Sequence, residues 1–258
     1  MDSFFNSFRF PVMIVLTIIL TINFFEDREA QRKKTGKDAP QAQQAQGQPV
    51  VRHEPLTAYD LDRTFPGHRT ALIQAAMVGS PDVVTMAIDQ GIPIFGTDAA
   101  GWTALHHACL NGHTLIVKIL IERGAPIEAL DAEEATPLLR AAQGKHQGAI
   151  DLLLKAGANF KAKDCNGISA IHLAAQTGNV KLAEFLLLNG VPVLEKNFRG
   201  WTPLHYAATN GHTEIAKFLL ARGGYNTERI DYGWTPLDLA SGRNYTEIVQ
   251  ELKNRAEQ

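Results

Sequence analysis

Cysteine is scarce in this chain: Cys109 and Cys165 are the only two among 258 residues. No zinc-spaced set of thiols can be assembled from them. Neither sign of charge dominates, since 25 Lys and Arg face 27 Asp and Glu for a formal net charge of −2. From Pro66 onward the balance is 17 against 19, again −2. A nucleic-acid partner calls for a basic surplus to neutralise phosphates, and none is present. A phosphate-cradling glycine loop and a G-x-S-x-G elbow are also missing. No catalytic residue, cofactor, metal site or small-molecule substrate is therefore predicted.

Residues 39–49 contain no large aliphatic or aromatic side chain. They cannot bury a core, and the segment 26–56 reads as a charged, then Gln/Ala/Pro-rich disordered linker. As a coil it reaches roughly 30 Å root-mean-square. Before it, Phe10–Phe25 is an apolar run broken only by Thr17, Thr21 and Asn23. As a helix the run spans about 24 Å, a little short of a ~30 Å hydrocarbon core. Phe4, Phe5 and Phe8 in the flank 1–9 can extend it, with Arg9 snorkelling to the interface.

A single N-terminal hydrophobic helix, acting as membrane anchor, is the expectation for 10–25. A cleaved signal segment competes, but Asp2 offsets Arg9 and no A-x-A-like site directly follows. Arg28, Arg32, Lys33, Lys34 and Lys37 follow the run. The positive-inside rule then places the remainder of the chain in the cytoplasm. The alternatives are an exported inhibitor or protective partner of an enzyme, and, with nothing in the sequence pointing to it, an enzyme of unknown type.

Beyond the linker one phrase returns six times, every 33 residues: Thr70, Thr103, Thr136, Ser169, Thr202 and Thr235. Such a grid implies one small unit stacked repeatedly. The hydroxyl suits a helix N-cap, and Pro137, Pro203 and Pro236 suit the first helical position. An aliphatic follows two residues on (Leu72, Leu105, Leu138, Ile171, Leu204, Leu237), then alanine at the fifth position and another small residue at the sixth. Small pairs let a short helix approach its neighbours closely. A second apolar set, such as Ile116, Val117 and Leu120, marks one face of a second helix. Gly91, Gly124, Gly157, Gly190 and Gly223 close it. No unit can bury its apolar face alone.

Thr202-Pro203-Leu204-His205, then Ala207-Ala208 and Gly211-His212, resembles the ankyrin-repeat family almost letter for letter. The resemblance covers roughly 65–258 within a domain at 57–258. Repeats lie near 65–97, 98–130, 131–163, 164–196, 197–229 and 230–258. It implies an all-α solenoid of six stacked helix-turn-helix units with β-hairpin loops and a concave face. Departures cluster at the ends: Phe65, His68 and Ile73 in the first unit, and Ile230, Asp238 and Asn244 in the last. Both ends read as caps. Internally, Glu134, Leu139 and Lys145 stand where the family shows Gly, His and Gly.

The nine histidines mostly follow the period. His106, His172 and His205 share the third position after the hydroxyl, and His113, His146 and His212 the tenth. Residues placed by a structural period serve the unit, so no metal site is read from them. His53, His68 and His107 lie off the grid and scattered.

The resemblance implies a protein partner bound through hairpin tips and the exposed end of each first helix. The tips carry Trp102, Phe198, Arg199, Trp201, Tyr232 and Trp234; the helix ends carry Leu110, Asn111, Gln143, Gln176, Thr209 and Asn210. Aromatics and arginine dominate binding hot spots.

Overall fold

The computed structural model describes residues 70–224 and 227–256. The chain divides into two units, Met1–Arg52 and His53–Gln258, and every described residue belongs to the second. The expected anchor at 10–25 and the linker at 26–56 lie outside the described residues, as do Phe65 and His68. Among the described residues no helix is long and apolar enough to cross a membrane.

The described residues form six helix pairs. The first helices are α1 (Ala71–Val78), α3 (Ala104–Asn111), α5 (Pro137–Gln143), α7 (Ala170–Thr177), α9 (Pro203–Asn210) and α11 (Pro236–Gly242). The second helices are α2 (Pro81–Asp89), α4 (Thr114–Glu122), α6 (Gln147–Lys155), α8 (Val180–Leu188), α10 (Thr213–Ala221) and α12 (Thr246–Ala256). Each first helix packs on the first helices beside it, and the core lies between the two layers.

Every first helix begins at its hydroxyl. The side chains of Thr70, Thr103, Thr136 and Thr235 accept from the backbone N–H three residues on. The hydroxyls of Thr103, Ser169 and Thr202 also bond the imidazole Nδ1 of His106, His172 and His205, at 2.9, 3.0 and 2.8 Å. The alanines at the fifth position, from Ala108 to Ala240, are fully buried, so backbones of successive repeats meet with almost no side chain between them. The second helices bury their predicted faces, for example Leu182, Ala183 and Leu186. On α12 only Ile248 and Leu252 are fully buried, while Glu247, Lys253, Asn254 and Arg255 are exposed, as a capping helix requires.

The connecting loops differ from the β-hairpins the resemblance implies. Among the described residues no strand forms, and only isolated bridges occur, Thr97 with Thr103 and Lys163 with Ser169. The reason is length: the returning arm meets the N-cap hydroxyl before a ladder can extend. What remains is a tight turn built on its first residue. Asp98 Oδ1 accepts from the N–H groups of Ala100 and Trp102, each at 3.0 Å. Asp131, Asp164 and Asn197 do the same in their loops.

The irregular third repeat and the last one keep the backbone geometry of the regular repeats. Glu134, Lys145 and Asn244 each adopt φ 59°, the left-handed conformation that glycine supplies at the equivalent points of regular repeats. Each costs about 1 kcal/mol of backbone strain, which the flanking packing offsets.

Candidate partner-binding surface

The turns line up because their backbones bond to one another. Ala132 N–H donates to Ala100 O at 3.0 Å, Cys165 N–H to Glu133 O at 2.9 Å, and Phe198 N–H to Asn166 O at 3.0 Å. The series stops there. No equivalent bond joins the loop at Ile230–Trp234 to Arg199 among the described residues.

Histidines tie each first helix to the next loop. Nδ1 of His106 accepts from the Thr103 N–H at 3.1 Å, which leaves Nε2–H to donate to Ala135 O at 3.1 Å. His172 donates likewise to the carbonyls of Glu195 and Trp201, and His205 to that of Glu228. Burial holds all three imidazoles below the usual histidine range, with His205 pushed down to about 4. They are neutral struts. Among the described residues no cluster of three metal-ligating side chains forms.

A second pairing joins the first residue of a loop to the residue nine positions later on the first helix. His107 Nε2 lies 2.9 Å from Asp98 Oδ2. Burial works to raise the Asp98 carboxyl, yet bonds from His107, Trp102 and Ala100 hold it below the ordinary value. One repeat on, Arg140 Nη2 and Nε reach Asp131 Oδ2 at 2.6 and 2.8 Å, with both side chains buried. The same guanidinium pairs with Glu133 at 2.6 Å and stacks over Trp102, 4.5 Å from the ring centroid. In the fifth repeat Asn197 Nδ2 donates to Tyr206 Oη at 3.0 Å.

The twelve predicted surface residues divide sharply by environment. Phe198, Tyr232 and Trp234 are 74%, 73% and 57% exposed and stand on consecutive tips. Arg199 is exposed beside them. Trp102 and Trp201 are half-buried by their own repeats: Trp102 lies 5.0 Å from the His107 ring, and Trp201 5.2 Å from Tyr206. They brace the fold more than they present a surface. Trp234 shares their position but has Leu239 where Trp201 has Tyr206, and no equivalent ring covers it.

Among the helix ends, Leu110 and Gln176 are half-buried, and Gln143 is exposed but accepts from Arg140 Nη1 at 2.9 Å. Asn111 donates back to Met77 O at 3.1 Å, and Asn210 to Tyr206 O at 2.8 Å. Thr209 is half-buried with its Oγ1 enclosed and, among the described residues, without a hydrogen-bond partner.

The pairs built on Asp98 and Asp131 were not evident from the repeat pattern alone. His107 and Arg140 fall on one position of the unit but differ in type, so no motif flags them. The readable signal is the spacing of nine between an acidic loop residue and a cationic helix residue.

A family model described as "Ankyrin repeats (3 copies)" matches residues 50–131, 116–197 and 171–258. Among solved structures, the crystal structure of the human ASB11 ankyrin repeat domain is similar, with a TM-score of 0.66 and 29% sequence identity. That similarity covers 72% of this chain and 84% of the other. No curated protein matches.

Proposed function

Since the chain belongs to the ankyrin-repeat family, we propose that it acts as an interaction module without catalysis and binds a protein partner across its loop tips and concave face. The observation that carries this reading is the run of exposed rings at Phe198, Tyr232 and Trp234. Large aromatic side chains exposed on consecutive tips are the kind of surface that binding hot spots use. The mechanism is complementarity on a stiff scaffold, without turnover.

The apolar run at 10–25 supports a second element, tethering to a membrane with the repeats on the cytoplasmic side. A linker of some thirty residues raises the partner's effective concentration at the bilayer without fixing the orientation of the repeats. Deleting 10–25 should move the protein out of the membrane fraction while leaving partner recovery from solution intact.

The docking reading is tested by site-specific photo-crosslinking from native membranes. A crosslinker at Tyr232 is expected to capture a discrete partner, and one at Lys118 on the outer face of α4 should not. The triple variant Phe198→Ala, Tyr232→Ala, Trp234→Ala is expected to keep its melting temperature and lose the adduct made from a crosslinker at Arg199. Equal adducts from Lys118 and Tyr232 would sink the proposal.

A further inference from the structure

Of the four loops that begin on Asp or Asn, three complete the loop-to-helix pairing and one does not. Asp164 builds its turn like the others, Oδ1 accepting from Asn166 and Ile168 N–H at 2.9 and 2.8 Å. Nine residues on, where His107, Arg140 and Tyr206 stand in other repeats, this repeat has Leu173. Leu173 is 8% exposed and has nothing to donate. Asp164 Oδ2 has no hydrogen bond or ion pair among the described residues, and the residue is only half-buried. Lys163 pairs with Glu195 at 2.8 Å, and Arg140 with Asp131 and Glu133. Arg199, whose charge acts on Tyr206 as that of Asp164 does, forms no ion pair with Asp164 among the described residues.

We propose that Asp164, above Leu173, is the acceptor for an arginine side chain presented by the protein partner. The choice of arginine comes from the chain itself. The equivalent carboxylate oxygen of Asp131 takes both Nε and Nη2 of Arg140, so this turn geometry accommodates a planar guanidinium fork. A lysine would bring one point charge, whereas at Asp131 a planar guanidinium places two donors on the one carboxylate oxygen the turn leaves free. Tyr206, in the same row of the next repeat, feels the Asp164 charge; burial first, and that charge after it, push its phenol up to about 12. The socket rests on the reading of this face as a docking surface and specifies what the partner must carry.

The test is amide-resolved NMR of the full chain in detergent, titrated with N-acetylarginine amide and with its neutral isostere N-acetylcitrulline amide. Saturable shifts are expected at the Asn166 and Ile168 amides with arginine, and a roughly tenfold weaker response with citrulline. Asp164→Asn should abolish the response without unfolding the turn, because Asn197 shows that asparagine caps it equally well. Leu173→Arg should also abolish it by filling the socket from within. Equal responses to the two ligands, an undiminished response in Leu173→Arg, or shifts as large beside the exposed Asp231 would each overturn the proposal. Crosslinking at Tyr232 that persists in Asp164→Asn separates failure of the socket from failure of docking at the tips.

Discussion

His212 donates its Nε2–H across a repeat boundary to the carbonyl oxygen of Gln176, 2.9 Å away, and its ring lies directly over Gly178. The glycine is doubly required. Its φ is +69°, and a Cβ there would stand 2.9 Å from His212 Nδ1. His113 over Gly79 and His146 over Gly112 repeat the arrangement.

Two glycine substitutions separate those requirements. Gly91 has φ +84° but nothing within 4 Å of an added Cβ. Gly91→Ala should cost about 1 kcal/mol, from backbone strain alone. Gly178→Ala adds displacement of the imidazole and should cost about 2–4 kcal/mol in urea unfolding. Equal losses would mean the ring contact contributes nothing.

The buried imidazoles make stability depend on pH with a definite sign. The folded His205 binds its proton less readily than an unfolded histidine, at about 4 against an ordinary 6.5. Its contribution is complete above roughly pH 6.5 and fades as pH falls, by about 2 kcal/mol at pH 5 and about 3 kcal/mol near pH 4. His106 and His172 act in the same direction. Urea midpoints between pH 7.5 and 4.5 should fall steeply, and His205→Gln should shallow the slope. An unchanged slope in that variant would remove His205 from the account.

Arg140→Ala should be among the costliest substitutions in the domain. It leaves the Asp131 side chain buried without its cation and strips the cover from Trp102. Breaking such a pair from one side costs about 3–5 kcal/mol. Arg140→Lys retains charge but loses the fork and the stacking, so an intermediate loss is expected by chemical denaturation.

The last repeat should open first. Its loop lacks the backbone bond that joins the three preceding loop junctions. Tyr245 replaces the tenth-position histidine: its ring lies 3.0 Å from a Cβ built on Gly211, and among the described residues no side-chain bond joins it to the Thr209 carbonyl as His212 joins that of Gln176. Hydrogen exchange is expected to be at least roughly tenfold faster in α11 and α12 than in α7 and α8. Uniform protection across all six pairs would contradict this.

Much of the architecture was legible in the sequence because its determinants are local and periodic. Thr103 caps a helix wherever the pattern recurs, and alanine at the fifth position is needed at every junction. The loops were overestimated as β-hairpins, since their arms end at the N-caps before a ladder can form. The surface was harder to read. Trp201 and Trp234 occupy the same position of the unit, yet one is covered by Tyr206 and the other stands open. That difference depends on which side chain lies five residues on, and the repeat leaves that position free. Arg140 was hidden for the same reason: its meaning comes from Asp131 and Trp102 together, and they belong to different repeats.

Every tie between neighbours, from the loop bonds to the imidazole struts, spans a sequence distance fixed by the 33-residue interval. The molecule is therefore tolerant of change in whole modules and intolerant of fractions. Excising or duplicating one complete interior unit would recreate a junction of the same chemistry on either side. An insertion of any other size inside a pair would throw all the downstream partners out of step at once. Its lineage should thus vary in length by quanta.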